Sequence, residues 1–434
     1  MSWVESAIWW QVYPLGFSGA EREALPEQEL HHRLPGSQWL DYLVELGCNG
    51  LALGPIFASQ THGYDSVDLL RLDPRLGDHA DFDTLVQGCR KRGIRLLLDG
   101  VFNHVGRGHP RVAAAFEQGI GSEAARWFHL SEADGTVVAR NFEGHDQLVV
   151  LNHSEPAVVA HVTEVMNTWL DRGADGWRLD AAYTVPTDFW AEVLPAVRKR
   201  HPDAWFVGEV IHGDYVDYVR RSTLDSVTEY ELWKAIWSSF KDHNLYELDH
   251  TLGRHNALLE HFTPLTFVGN HDVTRLATVL KDPALVGPAL AVLLFVGGVP
   301  TIYYGDEQGF QGLKEERFGG DDAIRPAFPD QPADLPSAGW PVYHLHQQLI
   351  SVRRRHPWLG TARTETLHLA NDSLALSASA PDGQQRLVLL LNLAEAPVTI
   401  PITLSDVEVV EQSGGSAGAQ LQVAAKGWAV LRAS

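Results

Sequence analysis

Acidic and histidine side chains follow short apolar runs at four places in this sequence. The residues concerned are Asp99, Asp180, Glu209 and the adjacent pair His271 and Asp272. One such carboxylate means little, but several that converge repel one another, which a purely structural role does not explain. Carboxylates with aromatic neighbours suit glycoside cleavage, in which one attacks the sugar and another protonates the leaving oxygen. Hydrolysis by a carboxylate-bound metal is the alternative.

The stretch Gly-Trp-Arg-Leu-Asp at 176–180 indicates how such a carboxylate is positioned. Side chains alternate along a strand, so the apolar Trp177 and Leu179 share one face, and Arg178 and Asp180 share the other. A cation this close holds a carboxylate ionised and aimed. A nucleophile and a structural ion pair would both need that arrangement.

Eight apolar runs of strand length recur along the chain, most with a helix-like segment between them. They cover residues 8–13, 48–53, 94–98, 176–180, 205–209, 226–228, 265–268 and 301–304. This alternation predicts an α/β fold, a (β/α)8 TIM barrel whose active site lies at the C-terminal ends of its strands. A doubly wound open sheet fits less well, because no glycine-rich phosphate turn follows the first strand.

Two segments depart from this alternation. Residues 103–152, after the third strand, are too many for a plain connection and predict an inserted subdomain or a lid. From residue 361 onward, short alternating runs separated by turns predict an antiparallel β domain. The predicted organisation is a catalytic barrel over 1–102 and 153–360, a short inserted subdomain over 103–152 and a C-terminal β-sandwich domain over 361–434.

Composition limits the partners. The 434 residues carry a formal net charge of −21 without long acidic runs, which argues against nucleic acid or an anionic membrane as partner. Fourteen tryptophans and eleven tyrosines suit a sugar-binding cleft as well as a core. No signal-like segment or membrane-spanning run is visible. Cys48 and Cys89 are expected to be free buried thiols, so the predicted location is the cytoplasm.

Four segments resemble the signature regions of the α-amylase superfamily, glycoside hydrolase family 13. They are Asp-Gly-Val-Phe-Asn-His at 99–104, Gly-Trp-Arg-Leu-Asp-Ala-Ala at 176–182, Phe-Val-Gly-Glu-Val at 206–210 and Phe-Val-Gly-Asn-His-Asp at 267–272. They occur in the family's order and at its strand positions. Further matches lie at 11–14, 62–65 and 304–307. The resemblance covers the whole barrel and implies a small, bacterial-type member that acts on oligosaccharides.

The resemblance implies a role for each candidate residue. Asp180 matches the nucleophile that forms a β-glycosyl-enzyme, Glu209 the general acid/base, and Asp272 the third carboxylate, which binds the distorted sugar. Glu209 is then expected to carry a proton near neutral pH. Two displacements retain the α-anomer. The other implied residues are Tyr64 as a platform under the sugar, His104 and His271 as hydroxyl-binding residues, and Asp65 and Asp99 as a supporting network around Arg178. Residues 315–328, which include Arg325, are expected to border the acceptor subsites or to form only a structured loop after the eighth strand.

Calcium is the cofactor that the resemblance raises. Many relatives bind it near the inserted loop through the residue that matches Asn103. The insertion here is short, and its acidic residues are not obviously arranged as ligands. The loop at 15–20 also lacks the acidic ligands of an Asp-rich calcium loop. We therefore expect no required cofactor, with Asn103 as the contributor if calcium binds.

The expected activity is hydrolysis of α-glucosidic bonds in maltooligosaccharides or related α-glucosides. Some relatives that prefer α-1,6 bonds have Val directly after the nucleophile, so the resemblance implies that Ala181 favours α-1,4 bonds. A transglycosylase or glucosyl isomerase would use the same catalytic residues and is the alternative. A catalytically dead binding module is disfavoured, because all three carboxylates are present.

Overall fold

The computed structural model describes residues 3–26, 28–133, 135–317, 319–414 and 420–433. At its centre is an eight-stranded parallel sheet, with strands β1 (Trp9–Val12), β2 (Gly50–Leu53), β3 (Arg95–Gly100), β4 (Gly176–Leu179), β5 (Trp205–Gly208), β6 (Ser226–Val227), β7 (Leu265–Phe267) and β8 (Val299–Tyr303). Their order is β6-β5-β4-β3-β2-β1-β8-β7, and a parallel bridge between Thr228 and Leu265 joins the two edges. The predicted barrel is confirmed.

Helices follow the strands around the outside of the barrel. They are α1 (Ser37–Leu46), α2 (His79–Arg92), α3 (Pro156–Arg172), α4 (Thr187–Arg198), α5 (Tyr215–Ser222), α6 (Tyr230–Lys241), α7 (Leu245–Leu258), α8 (Val286–Phe295) and α9 (Trp340–Arg355). Local signals set their ends. Helix α3 begins at Pro156, whose missing N–H is not needed there, and stops at Gly173, which takes a left-handed φ of 116°. No helix among the described residues is long and apolar enough to cross a membrane.

The alternation of strand side chains separates two apolar cores. Trp177 and Leu179 of β4 pack outward in the large core under the helices, whereas Leu97 of β3 and Val207 of β5 pack in the barrel interior. Because neighbouring side chains point to opposite faces, Arg178 must point into the barrel. The apolar face of β4 thus fixes the direction of its one charged residue.

The insertion after β3 contains a three-stranded antiparallel sheet. Its strands are His104–Gly106, Asn141–Phe142 and His145–Val150, with the last one in the middle. Helix Pro110–Gln118 and a hairpin of Leu130–Ala133 with Thr136–Ala139 complete its regular structure within the described residues. The first strand starts four residues after β3 ends, so this sheet is joined closely to the barrel mouth.

The C-terminal region forms the predicted antiparallel sheet. Its strands are β9 (Thr364–Leu369), β10 (Ser373–Ser379), β11 (Arg386–Asn392), β12 (Glu408–Gln412) and β13 (Gly427–Arg432), in the order β9-β10-β11-β13-β12. Leu389 of β11 belongs to the large core, whereas Val388 and Leu390 pack with Ile400 in a separate cluster. Both faces of the sheet are therefore buried. Elsewhere, Cys48 and Cys89 are free and buried, as predicted.

Candidate active site

Arg178 is the hub of a cluster of buried charges at the barrel mouth. The parallel register sets it directly beside Asp99 of β3, and its Nη1 lies 2.7 and 2.6 Å from the two carboxylate oxygens. The same Nη1 lies 3.3 Å from Asp180 Oδ1, and Nη2 lies 2.9 Å from Glu209 Oε1. One guanidinium thus contacts three carboxylates, which lie at the ends of three adjacent strands.

This ratio of one cation to three carboxylates controls protonation. Burial and the neighbouring Glu209 carboxylate raise the pKa of Asp180 well above its usual range, and Arg178 offsets only part of that effect. Burial also raises the pKa of Asp99 despite its contact with Arg178. The raised pKa values of Asp180 and Asp99 therefore disfavour three full negative charges in this cluster.

Glu209 is surrounded by hydrogen-bond donors. Its Oε1 accepts from the Tyr230 hydroxyl at 3.1 Å as well as from Arg178, and its Oε2 accepts from the Ala181 N–H at 2.9 Å. Three donors thus hold the two carboxylate oxygens of Glu209 in place, and one of them is the backbone directly after Asp180. The protonated Glu209 expected from the sequence stays a prediction.

Asp272 has the reverse environment. Its two oxygens lie 2.9 Å from His271 Nε2 and 2.9 Å from Arg325 Nη2, and its N–H donates to Asn270 Oδ1 at 2.8 Å. Burial opposes ionisation, but His271 and Arg325 outweigh it and hold the pKa of Asp272 below its usual range. The side chain is 33% exposed, against 10% for Asp180 and 8% for Glu209. Asp272 is thus the accessible, ionised carboxylate of the three.

The two predicted histidines are both buried at the barrel mouth. His271 stacks parallel to Tyr64, with ring centres 5.4 Å apart, and Tyr64 donates its hydroxyl to Asp99 Oδ2 at 3.0 Å. His104 is 1% exposed, with Nε2 3.1 Å from the Tyr64 carbonyl oxygen and Nδ1 3.0 Å from Asn103 Nδ2. Burial lowers the pKa of His104 to about 4, so its ring is neutral. A sugar hydroxyl would have to replace one of its protein partners.

One predicted residue has other partners than the sequence indicates. The sequence predicts that Asp65 supports Arg178, but its carboxylate accepts from the Thr61 N–H at 3.1 Å and the Thr61 hydroxyl at 2.7 Å. Asp65 therefore holds the loop before Tyr64.

Arg325 has partners at the barrel mouth. Its guanidinium contacts Asp272 and Asp321 and donates from Nε to the His271 carbonyl oxygen at 2.9 Å. That residues 315–328, of which 318 lies outside the described residues, border the acceptor subsites stays a prediction.

Sequence reasoning missed a link between Glu209 and Asp272. The Tyr230 hydroxyl, which donates to Glu209, accepts from Asn270 Nδ2 at 3.0 Å, and Asn270 also receives the Asp272 N–H. Tyr230 begins helix α6, whereas the predicted site residues all follow strands, so the sequence pattern did not identify it. Tyr230 lies two residues after the predicted strand at 226–228, and this closeness to a strand end is the sequence signal that could have identified it.

The residues around Asn103 do not fit a calcium site. Asn103 is 2% exposed, its Nδ2 contacts His104, and its carbonyl oxygen accepts from the Leu151 N–H at 3.0 Å. Calcium takes six to eight oxygen ligands, commonly with several carboxylates. Among the described residues, no group of three or more His, Cys, Asp or Glu side chains could hold a metal ion.

Comparison with known proteins gives matches along the whole chain. The family model "Alpha amylase, catalytic domain" matches residues 11–335. A cyclomaltodextrinase of Geobacillus thermopakistaniensis is 29% identical over 429 residues, which are 93% of this chain and 71% of that protein. The intracellular maltogenic amylase of Bacillus subtilis is 30% identical over 335 residues, 71% of this chain and 56% of that protein.

Solved structures share both the barrel and the C-terminal sheet. A cyclic α-maltosyl-(1→6)-maltose hydrolase from Arthrobacter globiformis, solved with that sugar, has a TM-score of 0.80 at 26% identity and 99% coverage of both chains. A cyclomaltodextrinase has a TM-score of 0.82 at 26% identity, with 100% of this chain and 78% of that chain covered. On the family match and on these similarities, the chain belongs to the α-amylase family of glycoside hydrolases.

Proposed function

We propose that this protein hydrolyses α-glucosidic bonds, mainly α-1,4, in maltooligosaccharides or related α-glucosides, and that it retains the anomeric configuration. The observation that carries the proposal is the meeting of three carboxylates at one barrel mouth in unlike environments. Asp180 and Glu209 are enclosed and share one arginine, whereas Asp272 is more accessible and lies 2.9 Å from both His271 and Arg325. Family membership gives the reaction class.

In the proposed first step, Asp180 attacks the anomeric carbon and Glu209 protonates the glycosidic oxygen. The glycosidic oxygen can only accept a hydrogen bond, so substrate favours the proton on Glu209 rather than Asp180. Arg178 is then free to strengthen its 3.3 Å contact with Asp180. The bond between carbon and leaving oxygen breaks, and the leaving sugar departs as an alcohol.

In the second step, Glu209 removes a proton from water, which attacks the glycosyl–Asp180 ester. The ester breaks, Asp180 leaves as a carboxylate, and Glu209 regains its proton for the next cycle. Asp272, held ionised by His271 and Arg325, supports positive charge at the anomeric carbon and accepts hydrogen bonds from sugar hydroxyls.

The proposal extends to location and cofactor. We infer that the protein works in the cytoplasm, supported by its two free buried cysteines and by the relative named as an intracellular amylase. We also infer that no metal is needed, because the geometry around Asn103 does not suit calcium.

Time-resolved proton NMR tests the function directly. The purified protein is given maltose, maltotriose, isomaltose, sucrose, trehalose and short dextrins, and anomeric protons are followed from the first seconds. Early release of α-anomeric sugar without longer products supports the hydrolase. Early formation of new linkages or longer chains would reassign the protein as a transglycosylase or glucosyl isomerase. No cleavage of any of these sugars would contradict the proposal.

A further inference from the structure

The tip of a hairpin in the inserted segment reaches the catalytic strands. Strands Asn141–Phe142 and His145–Val150 are joined by a two-residue turn of Glu143 and Gly144, which is flanked by the paired residues Phe142 and His145. Both turn residues have positive φ, 50° for Glu143 and 86° for Gly144. Tight hairpins favour Asn or Gly at such positions, since a side chain with a Cβ is strained there.

Glu143 therefore occupies a position that its residue type does not favour. The turn is well supported from its own strands, because Asn141 Oδ1 accepts from the Gly144 N–H at 3.1 Å and Asn141 Nδ2 donates to Asp146 Oδ1 at 2.7 Å. An asparagine or glycine in place of Glu143 would thus fit the turn more easily. A residue with a strained backbone at the edge of a functional site indicates a role for its side chain.

That side chain contacts the segment that follows the nucleophile position. Glu143 Oε1 accepts a hydrogen bond from the Tyr183 hydroxyl at 2.8 Å. Tyr183 lies three residues after Asp180, and its N–H donates to the Glu209 carbonyl oxygen at 3.2 Å. The adjacent Phe142 stacks on His104, with ring centres 4.8 Å apart. The hairpin tip therefore bridges from His104 to the segments that carry Asp180 and Glu209.

This bridge closes one side of the mouth and leaves the other open. Tyr183 also lies beside His212, three residues after Glu209, with ring centres 5.8 Å apart. The two carboxylates on this side are almost fully covered, whereas Asp272 on the far side is one-third exposed. A general acid protonates the oxygen of the leaving group, so residues beyond Glu209 on the side away from Asp272 face the leaving-group sugars.

We propose that Glu143 and Tyr183 form a latch that closes the leaving-group side of the cleft and selects short oligosaccharides over polymeric α-glucan. The inference rests on the proposed α-glucosidase function. A short leaving group ends before the latch, whereas a long chain must break the hydrogen bond in order to pass. Glu143 and Tyr183 are thus specificity-determining residues rather than catalytic ones.

Three substitutions test the latch. Glu143→Gly removes the carboxylate and suits the turn, Tyr183→Phe keeps the ring but removes the hydroxyl, and Glu143→Gln keeps an oxygen that can accept the hydrogen bond. The readout is the ratio of kcat/KM for amylose to kcat/KM for maltotriose. The loss of one hydrogen bond should raise this ratio about fivefold in the first two variants. Glu143→Gln should stay near the wild-type ratio.

Asp406→Gly is the matched control. Asp406 is also an exposed acidic residue with a positive φ, 49°, but it lies in the C-terminal region. Relief of backbone strain alone should therefore leave the ratio unchanged in this variant. Wild-type ratios in both Glu143→Gly and Tyr183→Phe, measured on enzymes that still cleave maltotriose, would overturn the latch and leave the function standing. Failure of the wild-type protein to cleave maltotriose and amylose would overturn the function, and the latch with it.

Discussion

The two sides of the barrel mouth hold the same kind of group in opposite electrostatic settings. On one side, three carboxylates share the single guanidinium of Arg178. On the other, Asp272 lies beside both His271 and Arg325, and Arg325 also pairs with Asp321. Burial opposes ionisation on both sides, yet the pKa of Asp180 is raised and that of Asp272 is lowered. The partners beside each carboxylate, rather than burial alone, set the direction.

This difference is what a retaining glycosidase needs. Proton transfer requires a carboxyl group that can gain and lose a proton near working pH, and the crowded side supplies one. Stabilisation of positive charge requires a carboxylate that stays ionised, and the Asp272 side supplies that.

The largest effect on activity is expected from substitutions of the carboxylates that share Arg178. Asp180→Asn should lower kcat/KM by roughly 10⁴-fold on every substrate, because no bond to the sugar can form. Glu209→Gln should lose roughly 10²- to 10⁴-fold on maltotriose but far less in the first step on α-maltosyl fluoride, since fluoride leaves without a proton. Steady-state and burst kinetics on both substrates distinguish these cases. Equal losses of Glu209→Gln on both substrates would remove its assignment as the acid.

The next effect is on stability in acid. Burial lowers the pKa of His104 to about 4, whereas an unfolded histidine titrates near 6.5. As pH falls, the unfolded chain takes up the proton first, so the contribution of His104 is complete above about pH 6.5 and is lost toward pH 4. The full difference is about 3 kcal/mol.

Denaturant unfolding from pH 7 to 4 measures this loss. His104→Gln should reduce the pH dependence of the free energy of unfolding by about that 3 kcal/mol. His346→Gln is the control away from the mouth, because burial also lowers the pKa of His346 to about 4. It should flatten the curve similarly without changing sugar binding. An unchanged slope in His104→Gln would show that this ring is not held neutral.

A smaller effect is expected from the Asp272 side. Arg325→Gln removes the guanidinium beside Asp272, so the pKa of Asp272 should rise and kcat/KM should fall roughly 10- to 100-fold. The acid limb of the pH profile should move to higher pH, because Asp272 becomes protonated sooner. Arg363→Gln, which loses an exposed pair with Glu260, is the control and should change neither. A uniform fall in activity with an unmoved acid limb would contradict the role given to Arg325.

The smallest effect is expected from metal removal. The residues around Asn103 do not suit calcium, so dialysis against EDTA should leave maltotriose hydrolysis unchanged and shift Tm by less than about 1 °C. Activity assays and calorimetry before and after dialysis check this result. A loss that calcium alone restores would contradict it.

The parts of this molecule that depend on local pattern could be predicted from sequence. The alternation of Trp177, Arg178 and Leu179 within β4 indicated the direction of Arg178, and the structure sets that arginine 3.3 Å from Asp180. Helix α3, Pro156–Arg172, likewise has its proline and glycine at its two ends, where such residues indicate a helix start and stop. Short-range chemistry decides both features.

The parts of the site that depend on contacts between residues distant in sequence could not be predicted. The hydrogen bond between Glu143 and Tyr183 joins residues 40 positions apart, and that between Tyr230 and Glu209 joins residues 21 apart. Asp65 was expected to contact Arg178, yet its carboxylate accepts hydrogen bonds from Thr61 in its own loop.

The most direct test of the central assignment is to trap the glycosyl group on Asp180. Glu209→Gln is mixed with α-maltosyl fluoride, quenched within seconds, digested and examined by mass spectrometry. The first step needs no acid with this donor, and the second step lacks its base, so the ester should accumulate. We predict a maltosyl adduct on the peptide that contains Asp180. An adduct on another residue, or turnover to β-maltose without any adduct, would contradict the account.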